Sequence, residues 1–284
     1  MSSCRNATAA QGQRGAGGLL RPDETTPVAG LRRDHPVAPA LRPFLERYWS
    51  VRWDLTGRPP HRSEVLSAPT VNLSVEEGDR PRFGVSLPAV LVHGVVTSRF
   101  TVDLAGTGRV TAAKFWPGGY AALTGVLPRP GSVTRLRDEL GLDAAALAQA
   151  VLGPADDDAR ATALDACLLG CAVAPTAAYL ELQEVLGQML ADRTLVRVED
   201  VARRAGCSVR ALQRLFAAYV GVGPKSVLAR YRLQDAVAEM DAGRVDDLAG
   251  LAATLGWSDQ AHFSREFRAV VGTTASAYLR RPRT

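Results

Sequence analysis

The chain has 284 residues, of which 46% are apolar and 22% charged, a balance typical of globular proteins. At this length we expect two domains, each with its own core. No uncharged apolar run approaches the roughly 18 residues of a membrane span, and the first thirty residues lack a signal-peptide core. With four irregularly spaced cysteines, the sequence predicts a cytoplasmic protein with no membrane partner and no disulfide framework.

The net charge of +5 is concentrated at the C-terminal end. Residues 191–284 hold 15 Lys and Arg against 10 Asp and Glu, whereas the rest of the chain holds 19 of each. Such a basic excess is expected of a domain that binds the phosphates of DNA, although a solvated surface has the same composition. Charge alone leaves both interpretations open.

In chain order, residues 1–35 are predicted to be a disordered arm, because they are rich in small residues with isolated arginines. Residues 36–135 are predicted to be a β-rich sensor domain, with β-type runs over 47–53, 70–75, 89–97 and 110–116. Residues 136–174 are expected to be a helical linker or dimerisation segment. Pro154 and Pro175 separate three predicted helices that end near Ala191. The remainder is helix and turn, so the fold class is α+β.

An internal repeat lies within the C-terminal domain, residues 175–284. Val201 and Gly206 match Leu251 and Gly256 at a separation of 50 residues. Beyond the turn the separation is 51 residues. At this separation Leu212 matches Phe263, Arg214 matches Arg265 and Phe216 matches Phe267. The pattern predicts two helix-turn-helix units, over 198–220 and 246–271, with one residue inserted in the second turn.

In the first unit, Gly206 supplies the turn and Ser208 is a good N-cap for the following helix. Leu212, Leu215, Phe216 and Tyr219 form the stripe expected to face inward. The other side carries Arg210, Gln213 and Arg214, whose side chains suit guanine and adenine edges. A solvated polar face is the alternative.

The second unit repeats this arrangement. Asp246 and Asp247 mark its start, Phe263 and Phe267 face inward, and Gln260, His262 and Arg265 are expected to contact bases. Ser208, Lys225, Ser258 and Arg268 are expected to contact phosphates. Pro224 opens a predicted helix to about Ala242, whose length of roughly 28 Å suits two recognition helices in neighbouring major-groove segments.

The segments GCSVRALQRLFAAYVGVGPK (206–225) and GWSDQAHFSREFRAVVGTTASAYL (256–279), with Tyr231-Arg232-Leu233 between them, resemble the AraC family of transcription regulators. The resemblance covers roughly residues 176–281. It implies a seven-helix, sequence-specific DNA-binding domain that activates or represses a promoter, with RNA polymerase as a further partner. Thr274 and Ala275 depart from the Ser-Pro that the family usually has, so the last helix is expected to dock more loosely.

The N-terminal region, through YWSVRWDLTGRPP (48–60), VHGVVT (92–97) and KFWPGGY (114–120), resembles a domain found in a subset of these regulators. The function of that domain is poorly defined. The β-type runs predict a β-rich sandwich or barrel, which a cupin-like sensor for a small-molecule effector would also have. The candidate pocket residues are Trp49, Trp53, His93, Trp116 and Tyr120, although aromatic residues more commonly fill a core. Effector, target promoter and oligomeric state, including a homodimer, are left open.

Two alternative functions are disfavoured by the sequence. A metal-dependent enzyme in the barrel needs clustered ligands, yet His35, His61 and His93 are isolated, so neither metal nor other cofactor is expected. A DNA-repair or stress sensor with the same DNA-binding domain needs an N-terminal cysteine cluster, and only Cys4 precedes residue 167. Cys167 and Cys171 are expected to be buried core residues rather than a redox pair.

Overall fold

The computed structural model describes residues 19–20, 33–137 and 140–280. Within these ranges the chain first forms nine strands: β1 (Leu19–Leu20), β2 (Arg33–His35), β3 (Leu45–Leu55), β4 (His61–Val65), β5 (Asn72–Gly78), β6 (Ala89–His93), β7 (Phe100–Leu104), β8 (Gly106–Phe115) and β9 (Val133–Arg135). Helix α1 (Gly119–Thr124) lies between β8 and β9. The later helices are α2 (Ala144–Leu152), α3 (Asp157–Leu169), α4 (Ala177–Ala191), α5 (Val198–Arg204), α6 (Val209–Tyr219), α7 (Pro224–Asp241), α8 (Leu248–Thr254), α9 (Gln260–Val271) and α10 (Ala275–Leu279). A β-rich N-terminal part followed by a helical C-terminal part confirms the predicted α+β class.

The strands form two antiparallel sheets. One has six strands in the order β2-β3-β8-β5-β6-β9, and the other has three in the order β1-β4-β7. Because side chains alternate along a strand, Leu73 and Val75 of β5 face α2 and α3 and share their apolar core. On the opposite side of the six-stranded sheet, Trp53 packs with Leu104 of β7. The three-stranded sheet therefore covers that side.

The four predicted β-type runs coincide with β3, β5, β6 and β8, whereas the sequence patterns miss β4, β7 and β9. The predicted linker or dimerisation segment over 136–174 forms α2 and α3. These helices bury Leu147 and Leu164 against the six-stranded sheet of their own chain. They are therefore part of the N-terminal core rather than a free linker.

The expectation of a disordered arm over 1–35 is wrong at two places, and its other residues, 1–18 and 21–32, lie outside the described ranges. Leu19–Leu20 pairs with β4, and Leu20 is buried. Arg33–His35 pairs with β3, where His35 Nε2 lies 2.9 Å from Ser50 Oγ and Nδ1 lies 2.6 Å from Asp158. Contacts with distant residues order both segments, and local composition carries no sign of such contacts.

The helical half follows the sequence closely. The three helices predicted to end near Ala191 are α2, α3 and α4, and seven helices lie between residues 175 and 280. Pro224 is at the first turn of α7, which has 18 residues. No helix in the part of the chain that the structure describes has the length and apolarity that a membrane crossing requires.

Two apolar cores stabilise the helical half. Phe216 of α6 belongs to the same core as Phe44 and Tyr179, whose rings stack with centroids 5.6 Å apart. The core of the second half is formed by α7 to α10, and Leu20 and Leu66 of the N-terminal domain are buried in it. Each half of the helical domain is thus in contact with the N-terminal domain.

Candidate nucleic-acid interface

The first helix-turn-helix unit consists of α5 and α6. Gly206 between them has a φ of +67°, a left-handed conformation that favours glycine. Ser208 Oγ accepts a hydrogen bond from Ala211 N at 3.1 Å and so caps α6, as predicted. Leu212 and Phe216 are buried, and Leu215 and Tyr219 are half-buried. The inward stripe of α6 is confirmed.

The second unit consists of α8 and α9, with Gly256 at a φ of +79°. Asp247 caps α8 and Asp259 caps α9, where Asp259 Oδ1 accepts from His262 N at 2.7 Å. That backbone hydrogen bond, with smaller contributions from Ser258 and Arg265, lowers the pKa of Asp259. Phe263, Phe267 and Val271 are buried, and Val270 is half-buried, so this stripe is confirmed as well.

The caps explain the one-residue insertion in the repeat. Ser208 and Asp259 are 51 residues apart, so Ser258 is the extra residue of the second turn and not the equivalent of Ser208. Ser258 Oγ donates to Asp259 Oδ2 at 3.1 Å and lies 3.2 Å from His262 Nδ1. Its hydroxyl is therefore engaged within the protein rather than at the helix cap.

Five of the six predicted base-contacting side chains are exposed: Arg210, Gln213, Arg214, Gln260 and Arg265. The ion pairs of the described helical half join other residues, and none of them involves Arg210, Arg214 or Arg265. Guanidinium groups without a carboxylate partner remain available to base edges or phosphates. Base contact itself stays a prediction.

His262 differs from these five. Its side chain is partly exposed, but Nε2 lies 3.3 Å from Glu266 Oε1 and Nδ1 lies 3.2 Å from Ser258 Oγ. Since both ring nitrogens already face protein groups, His262 would have to give up one of these contacts before it could bond to a base. The sequence gives no indication of this, because it shows only that His262 and Glu266 are one helical turn apart.

Of the predicted phosphate contacts, Lys225 is exposed in the first turn of α7 and Arg268 is exposed on α9. The oxygen of Ser208 is used as the cap of α6. The last helix, α10, is capped by Thr274, and Tyr278 Oη donates to Asp241 at 3.0 Å. These contacts dock α10 on α7 despite the departure from Ser-Pro.

A polar network in the second unit was not predicted from sequence. Trp257, which is buried after the turn, donates through Nε1 to Glu266 Oε2 at 2.7 Å. The guanidinium of Arg232 on α7 lies 4.6 Å from the centre of the Trp257 ring. Burial lowers the pKa of Arg232, and the charge of Glu266 acts in the opposite direction. The repeat offers a signal, since Trp257 and Glu266 occupy the positions of Cys207 and Leu215.

The N-terminal domain reaches this half of the molecule through several polar contacts. Arg230 of α7 is buried and donates to the carbonyls of Val96 and Ser98 at 3.1 and 3.0 Å. Arg99 forms an ion pair with Glu64 at 2.8 Å and donates to Val271 O at 3.1 Å, at the end of α9. These contacts connect the segment between β6 and β7 to α7 and to the second unit. Because α7 joins the two helix-turn-helix units, it is called the linker helix below.

The five predicted pocket residues do not share one surface. Trp49 and Trp53 lie on the side of the six-stranded sheet that faces the three-stranded sheet. His93, with its ring 5.8 Å from that of Phe100 in β7, is on the same side. Trp116 instead donates to Arg42 O, and Tyr120 packs on Phe115 in the core that contains α2 and α3.

Near His93 is a buried polar cluster. Ser74 Oγ lies 2.8 Å from His93 Nε2 and donates to Glu76 Oε1 at 2.7 Å. Glu76 also forms an ion pair with Arg82, whose guanidinium lies 4.7 Å from the Trp53 ring centre. Within residues 19–20, 33–137 and 140–280, no group of three or more His, Cys, Asp or Glu side chains is placed to hold a metal ion.

The three cysteines in the described ranges are free and partly buried. Burial raises the pKa of Cys167 and of Cys171, which disfavours the thiolate form. Cys171 Sγ donates to Leu140 O at 3.1 Å. Cys4, on which the repair-sensor alternative depends, lies outside the described residues.

Comparison with known proteins gives two family matches. Residues 201–281 match the model of a helix-turn-helix domain, and residues 33–130 match a domain of unknown function (DUF6597). No curated protein matches the chain. Among solved structures, ToxT from Vibrio cholerae is similar at 12% identity, over 78% of this chain and 97% of that one, with a TM-score of 0.40. The structure of wild-type ToxT from Vibrio cholerae with a bound unsaturated fatty acid covers 92% of each chain at 11% identity and a TM-score of 0.36.

Proposed function

We propose that the chain is a DNA-binding transcription regulator of the AraC type and that α6 and α9 are its two recognition helices. The support is the match of residues 201–281 to a helix-turn-helix domain, behind a domain of unknown function over residues 33–130. Helices α6 and α9 enter neighbouring major-groove segments of one duplex. The observation that carries this proposal is the equivalence of Arg214 and Arg265, each exposed on a helix whose opposite side is buried. The two helices present the same chemistry to one ligand.

The linker helix supports the geometry. With 18 residues, α7 spans about 27 Å, close to the roughly 34 Å that separates successive major-groove faces on one side of B-DNA. A helix transmits position rigidly, whereas a flexible linker would not fix the distance between the two units. A single chain can therefore read two segments, and a homodimer is not needed for this.

Base readout is assigned to Arg210, Gln213 and Arg214 in the first segment and to Gln260 and Arg265 in the second. Arginine can donate two hydrogen bonds to guanine, and glutamine pairs with adenine in the same bidentate way. Lys225 and Arg268 are assigned to phosphates, which give affinity without sequence preference. His262 is left out of direct readout because Glu266 and Ser258 engage its ring.

The test uses the full chain and a DNA site selected from random sequences in vitro. Replacing Arg214 or Arg265 with alanine should weaken binding to the selected site by about 1–3 kcal/mol, and it should relax the base preference at one position. The control is Arg268→Ala, which removes an exposed charge from the same helix as Arg265. It should weaken selected and random DNA alike, since phosphate contacts are indifferent to sequence.

Binding curves on both DNAs decide between the two kinds of contact. Equal losses on selected and random DNA for Arg214→Ala and Arg265→Ala would show that these side chains do not read bases. Circular dichroism of each variant checks that the exposed substitutions leave the fold intact. Footprinting on the same site gives the number of bound chains from the length protected.

We further propose that the N-terminal domain adjusts DNA affinity in response to a small ligand held near Trp49, Trp53 and His93. The support is a direct structural connection between the two domains, because Arg99 and Arg230 form hydrogen bonds that join this domain to the second unit and to the linker helix. Coupling between two sites is reciprocal, so a ligand that changes DNA affinity by some factor must itself bind differently by that factor when DNA is present. A thermal-shift screen finds such ligands, and titrating one with and without the selected site is decisive. Identical ligand affinity with and without DNA would refute the proposal that the ligand regulates DNA binding.

A further inference from the structure

The second helix-turn-helix unit contains an interaction between its recognition helix and the linker helix that the first unit lacks. Glu266 on α9 accepts a hydrogen bond from Trp257 Nε1 at 2.7 Å, and the same oxygen, Oε2, lies 3.7 Å from Arg232 Nη2 on α7. Arg232 also stacks on the Trp257 ring and donates through Nη1 to Gly256 O at 3.0 Å. One side chain of α7 thus contacts the turn, the Trp257 ring and α9 together.

The first unit serves as an internal comparison. At the positions equivalent to Trp257 and Glu266 it has Cys207 and Leu215, which pack against the apolar core as partly buried side chains. Apolar packing is non-directional, whereas an indole hydrogen bond and a carboxylate–guanidinium contact constrain distance and angle. The second recognition helix is consequently held to α7 by directional contacts in addition to its apolar core, whereas the first has apolar packing at the two equivalent positions.

The network of Arg232, Trp257 and Glu266 is largely buried, which strengthens its electrostatic contacts. The side chains of Arg232 and Glu266 are 16% and 27% exposed, and Trp257 is buried. Partly desolvated charge pairs are screened less by salt and water than surface pairs. Glu266 Oε1 also faces His262 Nε2 at 3.3 Å, so both oxygens of the carboxylate have partners.

We propose that Glu266 is a positioning residue that fixes α9 relative to α7 and thereby sets the spacing between the two DNA segments that the chain reads. The inference rests on the proposed function, since it concerns how two recognition helices are held in register. Glu266 itself does not touch a base. It acts through Arg232 and Trp257, which link the linker helix to the second recognition helix.

The test measures how much DNA affinity falls when the two halves of the site are moved apart. This loss of affinity is called the spacing penalty. Inserting one base pair between the two halves of the selected site moves one half by about 3.4 Å and rotates it by about 34°. The parent protein should bind this altered site more weakly by tenfold or more, on the order of one lost bidentate contact. In Glu266→Ala the penalty should fall to within about threefold, while the base preference within each half remains that of the parent.

Three comparisons complete the test. Glu239→Ala removes a carboxylate of α7 that is exposed to a similar degree, 23%, and pairs with Arg244 and Arg193 outside the Trp257 network, so it should keep the full spacing penalty. Glu266→Gln keeps an acceptor for Trp257 and should keep more of the penalty than Glu266→Ala. If Glu266→Ala does not fold, as judged by its melting curve, Trp257→Phe removes the indole donor together with part of the buried ring, keeps an aromatic ring for Arg232, and should lower the penalty in its place.

The outcomes separate the inference from its premise. A full spacing penalty in folded Glu266→Ala, or in Trp257→Phe where that variant is used, overturns the role of Glu266. Absence of any spacing penalty in the parent protein instead overturns the proposal that two recognition helices read one duplex. Uniform weakening on all sites without a change in the penalty shows a purely structural role and also overturns the inference.

Discussion

The carboxylate of Glu76 lies between the two sheets with 3% of its side chain exposed. Burial by itself would raise the pKa of Glu76, but the hydrogen bonds from His93 and Ser74 and the charge of Arg82 outweigh burial and lower it to about 2. A lowering from the ordinary 4.5 to about 2 is worth about 3 kcal/mol of folding free energy, since a tenfold change in an equilibrium constant is about 1.4 kcal/mol. We predict that Glu76→Gln loses about this much stability at pH 7, because Arg82 is then buried without its carboxylate.

The pH dependence gives the same prediction a sharper form. Because the pKa of Glu76 is lower in the folded state than in the unfolded state, its contribution is fully present above pH 4.5 and is lost as the pH falls toward 2. Protonated Glu76 resembles glutamine in charge and shape. The difference in unfolding free energy between the parent and Glu76→Gln should therefore shrink by about 1.4 kcal/mol for each pH unit below 4.5.

Urea unfolding followed by tryptophan fluorescence, at several pH values between 7 and 3.5, measures this difference. Asp103→Asn is the matched control, because its ion pair with Arg62 joins two side chains that are more than half exposed. Exposed pairs contribute little to stability, so this variant should follow the parent at every pH. The reasoning is refuted if Glu76→Gln is as stable as the parent at pH 7, or if the difference stays constant down to pH 3.5.

Two further predictions concern the DNA-binding half. Affinity for random DNA should fall steeply and linearly on a log–log plot between low and physiological salt, because phosphate binding releases counterions; a flat salt titration would contradict the basic interface. Leu66→Ala should lower the free energy of unfolding by about 2–5 kcal/mol, because Leu66 is 1% exposed within the core of the second unit. Leu180→Ala, at a side chain 50% exposed, should change it by less than about 0.5 kcal/mol, and equal effects of the two variants would show that the contact between domains adds no stability.

The helix-turn-helix units were predictable because their signals are local. The spacing of Leu212 and Phe216, and of Phe263 and Phe267, reports which side of each helix is buried. Gly206 reports the turn through its conformational freedom alone. Such features depend on residues within one or two helical turns, so periodicity and capping chemistry suffice to find them.

The contacts between distant residues were not predictable in this way. Strand β4 carries the sequence HRSEV, whose Ser63 and Glu64 are buried, so it lacks the apolar alternation that marks a strand. Leu20 is ordered by a core formed more than 200 residues later in the chain, and nothing near it in sequence reports that. Likewise, the engagement of His262 depends on the rotamers of its neighbours.

The aromatic residues of the predicted pocket show a third limit. Composition groups Trp53 with Tyr120, but a sheet has two sides, and which side a residue faces depends on strand boundaries and register. Trp53 faces the three-stranded sheet, whereas Tyr120 belongs to the core shared with α2 and α3. Aromatic content therefore indicates that buried surfaces exist without showing which residues share one.

The two helix-turn-helix units rest on different parts of the molecule. The first unit touches α1, which follows the last residue of β8 in the six-stranded sheet, and α4, the first helix of the C-terminal domain, where Thr176 Oγ1 lies 3.0 Å from Tyr219 Oη. The second unit receives Leu20, Leu66 and Arg99, which all belong to the three-stranded sheet or adjoin it. Sliding one sheet over the other would consequently change the distance between the two helix-turn-helix units. If these units read DNA as proposed, a small displacement between the two sheets would alter their match to the pitch of the double helix.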